Sequence, residues 1–339
     1  MAIEQGFAAE ERALIRGRQV DYHTLPSMLN WFPVAMSVNA ETLWWRYMGE
    51  ERFLASFFQD SLAAQSYEQK QVCHTPLLAL NDIIDKLDCV APTAFIFHVS
   101  RCGSTLLTQM LASLNQCIVL SEPPVLDAFF RAYHAHPDMV DAGQIFRQII
   151  AVMGQRRHAD EKHFFIKFDC WHLPWLDFIR KVFPDLPCIF LYRQPVEVLA
   201  SHQRQRGPQM IPGLVDTTRL RPDTAHLSPN DFDGYTAAML SSLFRTGLDN
   251  LLPARLYLLN YAQLPGVVWQ DLLVLFNIDC GSAQLLRMQT RSGLHSKNRH
   301  LSFTGDVSAM QTEDTMTVHA KLEQVNQIYE DLEKLRTGI

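Results

Sequence analysis

Two short stretches of the chain hold residues suited to gripping anions. In Phe95-Ile96-Phe97-His98-Val99-Ser100-Arg101-Cys102-Gly103-Ser104-Thr105-Leu106-Leu107, an apolar run enters a turn of small and hydroxyl residues, and a helical pattern begins at once. Such a turn aims successive backbone N–H groups and the positive end of a helix at one point, which makes an anion site. Gly103 lets the backbone come close, Ser104 and Thr105 add hydroxyl donors, and Arg101 adds charge. The second stretch runs Cys188-Ile189-Phe190-Leu191-Tyr192-Arg193-Gln194-Pro195-Val196-Glu197-Val198-Leu199-Ala200-Ser201. It sets an arginine at the end of an apolar run and a serine about two helical turns later. If both runs are strands of one parallel sheet, a ligand lying across its carboxyl edge meets both groups.

The first turn does not fit the nucleotide-hydrolysing P-loop G-x-x-x-x-G-K-[ST], because Ser104 follows Gly103 and no glycine stands five residues earlier. Ser-Arg-Cys-Gly-Ser-Thr-Leu-Leu is instead similar to the phosphosulfate loop of sulfotransferases that use 3′-phosphoadenosine 5′-phosphosulfate (PAPS). Cytosolic members of that family carry P-K-S-G-T-T; bacterial and tyrosylprotein members carry R-S-G-[ST]-T-L. Cys102 replaces the commoner serine or glycine at a position that acts through its backbone. The order strand, Arg193, Pro195, Ser201 resembles the family's 3′-phosphate motif. The resemblance covers roughly residues 91–335. It implies that Arg101, Cys102, Gly103, Ser104 and Thr105 cradle the 5′-phosphosulfate and that Arg193 and Ser201 hold the 3′-phosphate. In the late basic loop 291–300, Ser296, Lys297 and Arg299 are candidates to close over that phosphate. PAPS is then the co-substrate and no metal is expected, since positive side chains do what Mg²⁺ does for kinases.

Sulfuryl transfer to a hydroxyl or amine needs a base for the acceptor's proton and positive charge at the bridging oxygen of the leaving phosphate. Glu122 follows the short apolar run 117–120, at a distance from Arg101 similar to that of the catalytic glutamate in tyrosylprotein and many bacterial sulfotransferases. His172, in Trp171-His172-Leu173-Pro174, resembles the K-T-H-L-P run of cytosolic members, whose histidine is the base. Glu122 and His172 are rival bases, with Asp169 a third. Lys167 lies in Phe165-Ile166-Lys167-Phe168-Asp169, where a lysine is costly unless its ammonium meets an anion. The related enzymes place a lysine there to stabilise the leaving group. His98 is expected to face the core. Two other readings stand beside this one: a small-molecule kinase with a divergent P-loop, and a non-catalytic nucleotide-binding subunit of another enzyme.

Positioning these residues requires a parallel sheet. Apolar runs at 94–99, 117–120, 163–168, 188–192 and 255–259 alternate with helical patterns at 104–114, 125–134, 142–153, 176–183, 195–205, 232–251 and 267–276, the signature of an α/β fold. The expected architecture over residues 91–339 is a sulfotransferase-like three-layer sandwich with a central parallel sheet and a P-loop-like phosphosulfate-binding turn. Residues 1–90 read as a mainly helical N-terminal extension packed on that core, with an aromatic stripe from Leu43 to Met48. It is expected to cover the acceptor pocket or to contact a partner protein. The segment 206–231 holds Gly207, Pro208, Pro212, Gly213, Pro222 and Pro229, which predicts a long binding loop or lid. Its Arg219, Arg221 and His226 suit either an anionic acceptor or a solvated loop. Residues 318–335 read as an amphipathic helix.

Composition sets the outer bounds. With 339 residues, 47% hydrophobic and 19% charged, the chain can close a large core, and its net charge of −6 argues against general nucleic-acid binding. No apolar run reaches the ~18 residues of a membrane span, so no membrane association is expected. Residues 1–17 are too acidic and polar for a secretory signal. Seven scattered cysteines form no ligand or disulfide pattern, and reduced thiols in a cytoplasmic protein are expected. The expected partner is a small-molecule or peptide acceptor.

Overall fold

The computed structural model describes residues 9–37, 39–217, 219–251, 256–294 and 315–338. The first ninety residues depart from expectation. Strands β1 (Arg18–Gln19), β2 (Trp31–Met36), β3 (Thr42–Tyr47) and β4 (Gln71–Pro76) form a sheet ordered β1-β4-β3-β2. The helices among them, α1 (Ala9–Leu14), α2 (Phe58–Ala63) and α3 (Leu80–Ile84), are short, so a mainly helical extension is corrected to a small mixed unit. The reason is burial on both faces. Every residue of β2 and the four central residues of β3 are buried. A strand buried on both sides shows no polar alternation, and a six-residue aromatic run then carries no period to tell strand from helix. Trp31, Trp44, Trp45 and Phe58 are all buried, so the aromatic stripe is packing material rather than an exposed docking face.

From Pro92 strands and helices alternate as expected: β5 (Pro92–His98), α4 (Ser104–Ala112), β6 (Cys117–Ser121), α5 (Pro124–Ala135), α6 (Ala142–Met153), β7 (His163–Lys167), α7 (Leu176–Val182), β8 (Cys188–Tyr192), α8 (Pro195–Arg204), α9 (Phe232–Asp249) and β9 (Leu256–Asn260). The five strands pair in the order β6-β7-β5-β8-β9, all parallel. Every residue of β6 and β8 is buried. Because successive side chains point to opposite faces, both faces of the sheet are covered, which makes the three layers. The chain leaves β5 for β6, returns to β7 and then crosses to β8. This reversal opens a crevice over the carboxyl end of β5.

After β9 come α10 (Leu273–Leu275), α11 (Ser282–Ser292) and α12 (Thr315–Thr337). Leu322, Val325, Ile328 and Leu332 recur every three or four residues on α12 and are fully buried, so this helix is amphipathic as the sequence predicts. One continuous core joins both sheets, with Trp31 and Phe32 in the same cluster as Phe95, Phe129 and Phe146. Among the described residues no helix is long and apolar enough to cross a membrane.

Candidate active site

Strand register assembles the site. Ser121 pairs with Lys167, Lys167 with Ile96, and His98 with Leu191. Glu122, Lys167, the turn after His98 and Arg193 therefore stand at the carboxyl ends of four adjacent strands. Residues scattered over about a hundred positions of sequence share one sheet edge.

The turn is built from left-handed backbone. Ser100, Arg101 and Gly103 have φ of 73°, 48° and 87°. Gly103 opens α4, and a Cβ placed on it would lie 2.6 Å from Tyr261 Cδ2, so only glycine fits. Gly103→Ala is expected to lower the unfolding midpoint by a few degrees, since the left-handed conformation alone costs a non-glycine residue about 1–2 kcal/mol. A thermal melt checks this; an unchanged midpoint would show that the turn tolerates a side chain. Cys102 is buried and donates its thiol to the Leu191 carbonyl at 3.2 Å, while burial pushes the thiol up to about 12. It props the turn against β8. Arg101 reaches the Gln205 carbonyl just past α8 and ties the turn to that helix.

Two cavities meet here. The first, about 520 Å³, is lined by the whole turn from Ser100 to Thr105, by Lys167, and by Arg193, Ser201 and Arg204. The structure thus brings both anticipated anion sites into a single cavity. The second, about 640 Å³, is walled by Phe130, Trp171, Trp175, Arg131 and His172 and by Leu214, Thr217, Arg219 and Leu220 of the long loop. Arg219 stacks on Trp175 at 3.8 Å. Glu11 and Leu14 also line this cavity, so the N-terminal unit contributes to its wall. Phe57, Glu122, Asp169, Trp171 and Pro208 line both cavities.

At the junction lies a compact charge system. Lys167 is 0% exposed. Its Nζ stands 2.9 Å from Glu122 Oε1, 3.4 Å from Thr105 Oγ1 and 4.6 Å from the centre of the Phe57 ring. Glu122 has φ of 55°, held by its own N–H donating to the Lys167 carbonyl at 2.8 Å. Burial acts to raise the Glu122 pKa, but the Lys167 ammonium and then His98 outweigh it and hold the carboxyl down to about 2. Asp169 moves the other way: burial first, then the charges of Glu122 and Asp127, push it well above the carboxylate range. The two carboxyls are thus driven apart, Glu122 toward the ionised form and Asp169 toward the protonated one.

His172 is set further into the second cavity. Its Nε2 is 3.1 Å from Asp127 Oδ1, and its Nδ1 is 3.8 Å from Asp169 Oδ2. Asp127 also accepts from Trp171 Nε1 at 2.8 Å and pairs with Arg131, which in turn pairs with Glu11. On the other flank Arg193 is buried, its Nε donating to Glu197 at 2.9 Å while its guanidinium lies 4.1 Å from the centre of the Tyr261 ring. Ser296, Lys297 and Arg299 lie outside the described residues.

Sequence reasoning missed several groups. His98 is buried as expected, yet it faces Glu122 at 3.3 Å and lines the first cavity rather than the core. Its signal was its position as the last residue of a strand that feeds the turn. Arg204 follows Ser201 by one helical turn, a spacing that could have found it. Phe57, Asp127 and Tyr261 carried no local signal, because tertiary packing alone brings them in.

A model of the sulfotransferase family matches residues 92–265, more than half of the chain. No curated protein sequence matches it. Similar solved structures include the sulfotransferase domain of the olefin synthase of Synechococcus PCC 7002, at 15% identity over 73% of this chain and 96% of that one with a TM-score of 0.41. A sulfotransferase of Mycobacterium tuberculosis H37Rv shares 12% identity over 70% of this chain and 78% of its own, again with a TM-score of 0.41. The sulfotransferase domain of the curacin biosynthetic pathway shares 17% identity over 70% of this chain and 99% of its own, with a TM-score of 0.35.

Proposed function

The chain belongs to the sulfotransferase family, and on that premise we propose that it moves a sulfuryl group from PAPS to a hydroxyl or amine of an acceptor held in the aromatic cavity. One observation carries the reading: Lys167 and Glu122 meet at the mouth between a cavity with two cationic anion sites and a cavity whose wall mixes aromatic and aliphatic with charged side chains. PAPS fits the donor set. The turn, the N-terminus of α4 and Lys167 suit its 5′-phosphosulfate, and Arg193 with Ser201 suits its 3′-phosphate, with Arg204 close by on the same helix face.

Glu122 serves as the base. While it is paired with Lys167 its basicity is low. A donor phosphate near Lys167 competes for the ammonium, and the Glu122 pKa rises at the moment a proton must be taken. The acceptor oxygen or nitrogen bonds to sulfur, the bond from sulfur to the bridging phosphate oxygen breaks, and the acceptor's proton goes to Glu122. Lys167, Thr105 and the helix N-terminus meet the charge that grows on the leaving phosphate. The products are the sulfated acceptor and adenosine 3′,5′-bisphosphate. Phe130, Trp171 and Trp175 suit an acceptor, small molecule or peptide side chain, that carries its nucleophile on an apolar body. The seven free cysteines support a reducing, cytoplasmic location.

Arg193→Ala tests the donor site. Loss of a charged hydrogen bond worth about 1.5–3 kcal/mol is expected to weaken binding of adenosine 3′,5′-bisphosphate by about 10- to 150-fold in titration calorimetry. Binding of AMP, which lacks the 3′-phosphate, is expected to stay within about twofold. Equal losses for both nucleotides would remove Arg193 from the 3′-site. ATP binding more tightly than the bisphosphate would favour a kinase.

A further inference from the structure

His98 ends β5 and directs its two ring nitrogens at two different parts of the site. Nδ1 accepts the Ser100 N–H at 3.0 Å, at the first left-handed residue of the anion-binding turn. Nε2 lies 3.3 Å from Glu122 Oε1. A neutral imidazole that accepts at Nδ1 carries its proton at Nε2, and that buried nitrogen stands within ion-pair reach of the carboxylate without making a well-aligned hydrogen bond to it. Building on the donor site and base assigned above, we propose that His98 is a positioning residue that couples the anion-binding turn to Glu122, one nitrogen fixing the turn and the other aiming the carboxylate.

The surroundings keep the ring in that role. Burial, with the nearby Lys167 charge, outweighs the pull of Glu122 and lowers the His98 pKa, which favours the neutral ring that the Ser100 contact requires. Glu122 is faced by Lys167 at the end of β7, by Asp169 just beyond it and by His98 from β5. When Lys167 turns to the leaving phosphate, His98 and Asp169 remain beside the carboxylate to orient it. The same ring senses the turn, so donor binding and base alignment share one support.

Two amide substitutions separate the halves of this device. In His98→Asn the amide oxygen stands in for Nδ1, and in His98→Gln the amide nitrogen stands in for Nε2. Adenosine 3′,5′-bisphosphate affinity is measured by calorimetry, and stability by denaturant unfolding, with and without Glu122→Ala. His98→Asn is expected to keep affinity within about threefold, and His98→Gln to lose about tenfold, the size of one lost hydrogen bond. In the unfolding cycle, the midpoint shift caused by Glu122→Ala is expected to shrink in His98→Asn and to persist in His98→Gln. Equal affinity losses in both variants, with Glu122→Ala additive in each, would reduce His98 to packing and overturn the proposal. Failure of the wild-type protein to bind the bisphosphate would instead overturn the donor-site reading, while the 98–122 cycle would still report whether the two side chains couple.

Discussion

Glu122→Gln is expected to lower turnover of PAPS by about 10²- to 10⁴-fold, the usual worth of a positioned general base. Affinity for adenosine 3′,5′-bisphosphate is expected to stay within about threefold, because the substitution leaves in place the turn, Lys167, Arg193 and Ser201 that suit the phosphates. Release of the bisphosphate measures the first quantity and calorimetry the second. The substitution also has a signature in acid. Glu122 is held to about 2 against an ordinary value of 4.5, so it stabilises the fold above pH 4.5, and that contribution is lost as the pH falls toward 2. Asp169, raised well above 3.8, has the opposite sign: its contribution is complete below that value and is lost as the pH rises through its folded pKa. Glu122→Gln removes the first effect and takes away one of the charges behind the second, of which burial is the larger cause. Its melting temperature is therefore expected to vary less between pH 2 and 4.5 than that of the wild type. Full turnover in Glu122→Gln, together with a large loss in His172→Gln, would move the base to His172.

The parts of this site that could be read from sequence share a physical cause. Glu122, Lys167 and Arg193 each sit at the carboxyl end of an apolar run, and a parallel sheet buried on both faces makes such runs visible. Once the runs are strands, parallel register brings their ends together without further information. Gly103 was legible because a left-handed turn against Tyr261 admits nothing larger. The N-terminal sheet was not, since Trp31–Met36 is apolar throughout and its partner strand, though it carries Thr42 and Arg46, is buried through its centre, so neither shows a polar alternation. The choice between Glu122 and His172 was not legible either. Asp127, 45 residues before His172, sets that imidazole on the wall of the second cavity, and no local pattern signals the contact. Phe57 comes from the segment between β3 and α2, far from the parallel strands in sequence, and still lines both cavities. Local pattern places a residue on the sheet edge; only packing across elements decides what it faces.

Lys167→Met is the sharper test of the division of labour between the two charges. Methionine keeps much of the lysine's length and volume, so the cavity wall should survive while the ammonium is lost. Turnover is expected to fall by about 10²- to 10³-fold, the range seen when one preorganised electrostatic contact to a developing charge is removed. Lys167 is also the strongest influence lowering the Glu122 pKa, so without it that pKa rises. The acid limb of the kcat profile is therefore expected to move to higher pH in Lys167→Met. These two effects separate at alkaline pH. If Lys167 stabilises the leaving phosphate, the deficit persists after Glu122 is fully ionised, because a stronger base does nothing for the departing oxygen. If turnover instead recovers to the wild-type plateau once the pH is raised, Lys167 acts only by tuning Glu122, and the leaving group is met by Thr105 and the end of α4 alone.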